Sequence, residues 1–168
     1  MISVKKNMYV LKQSDGTIWN FKYDRNKGII YKNYKNGIWS KYNIFVKEAK
    51  ENFSAAILPN DTICIVYEDL NGNLMMYTFN GVNWKVYNIT KNNNMNIFNV
   101  YFKIILYKNY LFLFYSIYKN SNKITIVFQT VDEKGNLSSI KTIDDIYFKY
   151  DIPFYINISN KNVLYIMY

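Results

Sequence analysis

Residues 53–90 read FSAAILPNDTICIVYEDLNGNLMMYTFNGVNWKVYNIT, and the order of apolar runs and turn residues within them decides the fold. Residues 53–58 form a short apolar run closed by Pro59-Asn60-Asp61, a cluster that the middle of a strand does not accommodate. Residues 63–68 are almost continuously apolar and rich in β-branched and aromatic side chains, the composition of a strand covered on both faces. Leu70-Asn71-Gly72-Asn73 supplies a hairpin turn, because Asn and Gly reach positive φ at little steric cost. Residues 74–79 make a third strand, Asn80-Gly81 a further turn, and residues 84–89 an alternating, half-exposed outer strand. Each run is about 6 residues long, the usual strand length. The stretch is an antiparallel four-stranded meander.

Working outward, the same unit recurs. A shift of 45 positions lays residues 8–44 on 53–89, matching Thr17/Thr62, Ile18/Ile63, Asp24/Asp69 and Asn26/Asn71. It also superposes a W-x-x-Y-N-I segment, Trp39/Trp84, Tyr42/Tyr87, Asn43/Asn88 and Ile44/Ile89, and this cluster carries the repeat. Residues 53–67, 101–115 and 154–168 each run from one aromatic to another with polar turn residues between them. The third unit continues through a turn at Asn120-Ser121-Asn122, strands over 124–131 and 137–143, and Gly135-Asn136 between them. Units therefore start near 8, 53, 101 and 154, and the last stops after its second strand. The expectation is one all-β repeat domain over residues 1–168, about three and a half four-stranded blades of a β-propeller. A β-sandwich or open meander is the competing architecture. Three and a half units do not close a ring alone, so three explanations stand: a fragment of a longer propeller, a homodimer completing a seven-bladed ring, or an open stack.

Composition removes most chemistry. With no histidine, one cysteine (Cys64) and one arginine (Arg25), the usual general base, the Ser-His-Asp arrangement and thiolate or histidine metal sites are excluded. Cys64, within an apolar strand, reads as a small buried residue. The 6 glycines stand singly in turns, with no phosphate-cradling loop. Asp24-Arg25-Asn26-Lys27-Gly28 and Asp69-Leu70-Asn71-Gly72-Asn73 lack the further acidic ligands of a calcium loop and read as turns that bond their own backbone. Glu68/Asp69 and Asp144/Asp145 are adjacent carboxylates, which a strand sends to opposite faces rather than across a glycosidic bond. No cofactor and no metal are expected, and the chain reads as a non-enzyme.

The net charge of +9 is concentrated: residues 1–50 hold ten lysines and Arg25 against Asp15, Asp24 and Glu48, leaving the remainder nearly balanced. Lysines with aromatic neighbours admit a nucleic-acid reading through the first unit, which the single arginine weighs against. Residues 1–6 have no apolar leader core, and residues 100–118 are broken by Lys103, Lys108 and Asn109, so neither a signal peptide nor a membrane span is expected. The default location is cytoplasmic; a fragment would be equally compatible with a secreted or surface-attached protein.

The segment TICIVYEDLNGNLMMYTFNGVNWKVYNI, residues 62–89, resembles blades of bacterial sugar-binding and sialidase-like β-propellers. These run strand, D-x-x-G-type turn, strand, Asn-Gly turn, then a Trp opening the outer strand. The likeness covers residues 8–89 well and the rest weakly, and it implies a lectin-like propeller fold. It does not extend to the sites. The sialidase-like arginine triad is impossible with one Arg, and Ser14-Asp15-Gly16-Thr17 does not reproduce the S-x-D-x-G-x-T-W turn. The arginine and acidic residue that hold sugar in fucose-lectin-like propellers fall near residues 74–76, which are apolar here. The function expected is a binding module for carbohydrate or protein, or a scaffold with no activity of its own. Trp39 and Trp84, then Trp19, are the candidate ligand-binding residues, since a partly exposed Trp stacks on a sugar face. Packing between adjacent units is the competing role for each.

Overall fold

The computed structural model describes residues 8–89, 101–120, 123–147 and 153–168. Thr90, residues 1–6 read for a leader, and Ser121-Asn122 of the third unit's turn lie outside the described residues. The named elements are all strands: β1 (Met8–Lys12), β2 (Ile18–Asp24), β3 (Gly28–Lys35), β4 (Ile38–Trp39), β5 (Asn43–Val46), β6 (Ala49–Ile57), β7 (Ile63–Asp69), β8 (Leu74–Phe79) and β9 (Trp84–Asn88) come first. They are followed by β10 (Phe102–Tyr107), β11 (Tyr110–Asn120), β12 (Lys123–Val131), β13 (Lys141–Tyr147), β14 (Tyr155–Ile158) and β15 (Leu164–Met167). All pairings are antiparallel, and all but β3 with β5 join consecutive strands. They give a first sheet β1-β2-β3 with β4 and β5 both on β3, a second sheet β6-β7-β8-β9, a third sheet β10-β11-β12-β13, and a hairpin β14-β15. No helix among the described residues is long and apolar enough to cross a membrane.

Alternation of side chains along the strands gives the second and third sheets two apolar faces, each covered by a neighbour, and the first sheet one covered face. Trp19, Phe21, Ile29 and Phe45 of the first sheet pack on Phe53, Ile63, Ile65 and Tyr67 of the second. The second sheet's other face, Cys64, Val66, Leu74 and Met76, packs on Phe102, Ile104, Leu111, Leu113 and Tyr115 of the third. The third sheet then buries Phe114, Ile124 and Ile126 against Phe154, Ile156, Leu164 and Ile166 at the hairpin. Three cores thus join four layers in chain order. A buried Phe or Ile is worth about 1.5–3 kcal/mol each, so these faces, rather than edge contacts, hold the layers together.

Five hairpin turns share one geometry. In residues 13–17, 58–62, 69–73, 132–136 and 159–163 the first amide donates to the fifth carbonyl, and the fourth amide donates back to the first carbonyl. The fourth residue has positive φ in each. It is glycine at 16, 72 and 135, but Asp61 (φ 65°) and Asn162 (φ 57°) in the other two, short polar residues that tolerate the left-handed region.

Three expected boundaries move. The third unit begins one residue later than expected, because Phe102 rather than Tyr101 pairs with Tyr115. Its turn is Lys108-Asn109, with both residues at positive φ, the two-residue form that shortens a hairpin. The strand expected over 137–143 runs instead over Lys141–Tyr147. Leu137 makes only a bridge to Val131, and Ser138 then interrupts the strand, its amide donating to Thr130 O and its Oγ accepting from Thr130 N at 2.9 Å. Ser40 does the same on Asn33, which splits the first sheet's outer strand into β4 and β5. As a result the repeated W-x-x-Y-N-I slips by one residue: Met75 pairs with Asn88, whereas Ile30, its counterpart, pairs with Ile44.

Gly28 tests the packing of this outer strand. At φ +73° a Cβ there would lie 2.2 Å from Val46 O and 2.5 Å from Lys47 O. Gly37, at φ +82°, has open space around it. Gly28→Ala is expected to cost about 2–4 kcal/mol in denaturant unfolding, and Gly37→Ala only the ~1 kcal/mol of left-handed backbone.

Candidate ligand-binding surfaces

The three tryptophans occupy different environments. Trp19 on β2 is 8% exposed, stacked with Phe21 and donating Nε1–H to Gln13 Oε1 at 2.7 Å. Trp84 on β9 is half-buried, its ring centroid 4.7 Å from both Phe45 of the first sheet and Phe79 of its own, so it packs between units. Trp39 on β4 is 42% exposed and lies beside Tyr34, 5.4 Å between centroids. Lys32 Nζ sits 4.4 Å above the Trp39 ring and 5.2 Å from that of Tyr42, and Lys22 Nζ lies 4.3 Å from Tyr42. These lysines account for part of the basic first unit; Lys35 faces Asp15 at 3.8 Å and Lys50 pairs with buried Glu68 at 2.6 Å.

The carboxylates singled out in the sequence are engaged by the fold. Asp24 and Asp69 accept the amides of their own turns, Asn26 and Lys27 for the former and Asn71 and Asn73 for the latter. Asp144 accepts Tyr168 O–H at 2.8 Å, and that bond pushes the Tyr168 phenol up. Asp145 accepts Lys119 Nζ at 2.7 Å and Thr125 Oγ1 at 2.6 Å, with Lys123 Nζ at 3.5 Å. The Lys119 bond, then that of Thr125, hold its carboxyl down at about 2. No group of three His, Cys, Asp or Glu side chains that could hold a metal occurs among the described residues. Cys64 is fully buried, and burial pushes its thiol up to about 12, out of the range in which a thiolate attacks.

One groove of about 600 Å³ lies on the third sheet, between the β10–β11 turn and the β12–β13 turn. Lys108, Asn109 and Tyr110 form one side; Asp132, Glu133, Lys134 and Asn136 form the other. Asp132 shapes its own turn, accepting the amides of Lys134 and Asn136 at 2.9 and 2.8 Å and the Asn136 side-chain amide at 3.0 Å. Burial pushes the Asp132 carboxyl up, but the bonds from Asn136 and Lys134 outweigh it and leave it below its ordinary value. The turn is clamped from the second sheet. Asn60 Nδ2 donates to Glu133 O at 2.8 Å, Tyr87 O–H to Asn136 Oδ1 at 3.3 Å, and Gly135 lies so close to Thr78 that a Cβ would sit 2.7 Å from its Oγ1. The Glu133 carboxylate and the Tyr110 hydroxyl have no hydrogen-bond partner among the described residues, and Tyr110 is 59% exposed. Sequence reading did not find this groove. The only local signal was the D-x-x-G-N pattern of residues 132–136, shared with residues 69–73 at the opposite ends of the strands.

Similar staples recur along the same turns. Ser14 donates to Asp61 from its amide, at 2.9 Å, and from its hydroxyl, and Tyr107 O–H donates to Asn162 O at 3.0 Å. Each layer is therefore tied to the next at the end of the strands where the groove opens.

No family model matches the chain, and no curated protein matches it. Among solved structures it is similar to a mutant of AofleA from Arthrobotrys oligospora in which three arginines are replaced by alanine. The likeness has a TM-score of 0.44 at 13% identity and covers 94% of this chain but only 63% of that one.

Two titrations check this description. The native protein should leave Cys64 unmodified by a thiol reagent at pH 8, with one equivalent reacting in denaturant. For Asp145 the folded pKa of about 2 lies below the unfolded value of ~3.9, so its contribution is complete above pH ~4 and is lost as pH falls through about 2. Asp145→Asn should remove that part of the acid limb in stability-against-pH measurements.

Proposed function

We propose that the chain is a non-enzymatic recognition module of β-propeller type, and that its ligand is a carbohydrate held in the groove of the third sheet. What supports the propeller is the layering: four-stranded meanders follow one another face to face, and β6, the first strand of the second sheet, approaches both β1 and β10, the first strands of its neighbours. Adjacent first strands are what a radial arrangement of blades requires.

The observation that carries the ligand reading is the combination in the groove of an exposed aromatic ring with unused polar groups on a clamped frame. Tyr110 offers a flat apolar face and a hydroxyl. Asn109, Glu133 and Lys134 offer an amide, an acceptor and a donor to the hydroxyls of a sugar ring. The open, shallow shape suits a sugar better than a compact apolar ligand. The non-enzymatic reading is supported by the engagement of Glu68, Asp69, Asp144 and Asp145 described above and by a sequence without histidine. Trp39 with Tyr34 and Lys32 is the second stacking surface, and a protein ligand there is the competing reading.

A glycan array followed by calorimetry on the hit tests this. Wild type should bind, Tyr110→Ala should weaken binding at least tenfold, the loss of about 1.4 kcal/mol, and Glu133→Gln should weaken it less. Binding lost in Trp39→Ala but retained in Tyr110→Ala moves the site to the first sheet; no glycan bound by wild type overturns the carbohydrate assignment.

A further inference from the structure

The first residue of each unit holds the same post, on the opening strand or, for Phe154, just before it, and in the later units it faces the preceding layer. Phe53, Phe102 and Phe154 are 4%, 2% and 1% exposed there; Met8, their counterpart, is 53% exposed. The difference extends across the whole face. In the second sheet Phe53, Ala55, Tyr77, Phe79 and Trp84 pack against the first sheet. The 45-residue shift puts Met8, Val10, Lys32, Tyr34 and Trp39 in those positions, and Met8, Val10 and Trp39 are exposed. At the other end of the stack the hairpin covers the third sheet with Ile156, Leu164 and Ile166, while Tyr155, Tyr165 and Met167 are left exposed on its far side.

The geometry points to a second copy of this chain as the occupant: the outer face of the first sheet packs on the far side of the partner's terminal hairpin, head to tail. This continues the interface already repeated three times within the chain, in which a face of the Phe53 type meets the far face of the layer before it. Charge selects the pairing. Two first-sheet faces brought together would oppose Lys22 and Lys32 with their copies, whereas the hairpin's far side presents Tyr155, Asn157, Tyr165 and Met167, all uncharged. Used twice, with a rotation that closes, a head-to-tail contact makes a ring of two copies. The groove of the third sheet takes no part, so the glycan reading stands or falls separately.

Light scattering behind size exclusion, across a concentration series, reads the outcome. Wild type should run at twice the 20.1 kDa chain mass. Val10→Glu on β1 and Met167→Glu on β15 each change a residue exposed in the single chain; each alone should give a folded monomer with the circular dichroism spectrum of wild type. Mixing the two variants should restore dimer, because one undamaged face of each kind is then present. A monomeric wild type overturns the inference, and so does a dimer abolished by Val10→Glu but indifferent to Met167→Glu, which would mean pairing of two first-sheet faces.

Discussion

Burial of both faces of the second and third sheets is the constraint from which the rest follows. A solvated sheet shows polar residues on alternate positions, yet β7 has six consecutive buried residues, Ile63–Glu68. Such a strand is stable only between two neighbours, and the chain supplies them as its own preceding and following units. The fourfold meander, the three cores and the aromatic content all answer this one requirement. Even the polar members obey it: buried Glu68 is neutralised by Lys50, and buried Tyr115 donates its hydroxyl to Gln129, whose amide donates to Ser138 O.

The unit was legible because it is local. Apolar runs near six residues long and turns rich in Asn and Gly describe a meander without any long-range information, and β8 falls where the pattern places it. The misplaced boundaries come from contacts that composition does not encode. Ser40 and Ser138 replace a ladder carbonyl with a hydroxyl, which interrupts a strand without a proline or glycine to announce it. Lys108-Asn109 turns in two residues where its counterparts take three, and only the pairing of Phe102 with Tyr115 reveals it.

The site was less legible, because identical letters acquire different environments from their neighbours. Trp39 and Trp84 open equivalent strands, but a preceding sheet, with Phe45, lies against the second and not the first. The groove is assembled from two turns more than 20 residues apart and clamped by Asn60 and Tyr87 of another sheet. No window of sequence contains that arrangement. What could be read, the missing histidine and the engaged acids of the Asp24 and Asp69 turns, constrains the chemistry rather than locating it.

Because each core joins one layer only to the next, cooperativity passes along the chain as it does in a linear array. Local opening is then graded by position. The second sheet has a packed neighbour on both sides and exchanges its amide hydrogens only when an adjoining layer has come away. The first sheet and the terminal hairpin can peel while the middle persists. Most pairings also close between adjacent segments of the chain, which lowers the loop entropy to be overcome and favours assembly by sequential addition of layers, in the order in which a ribosome delivers them.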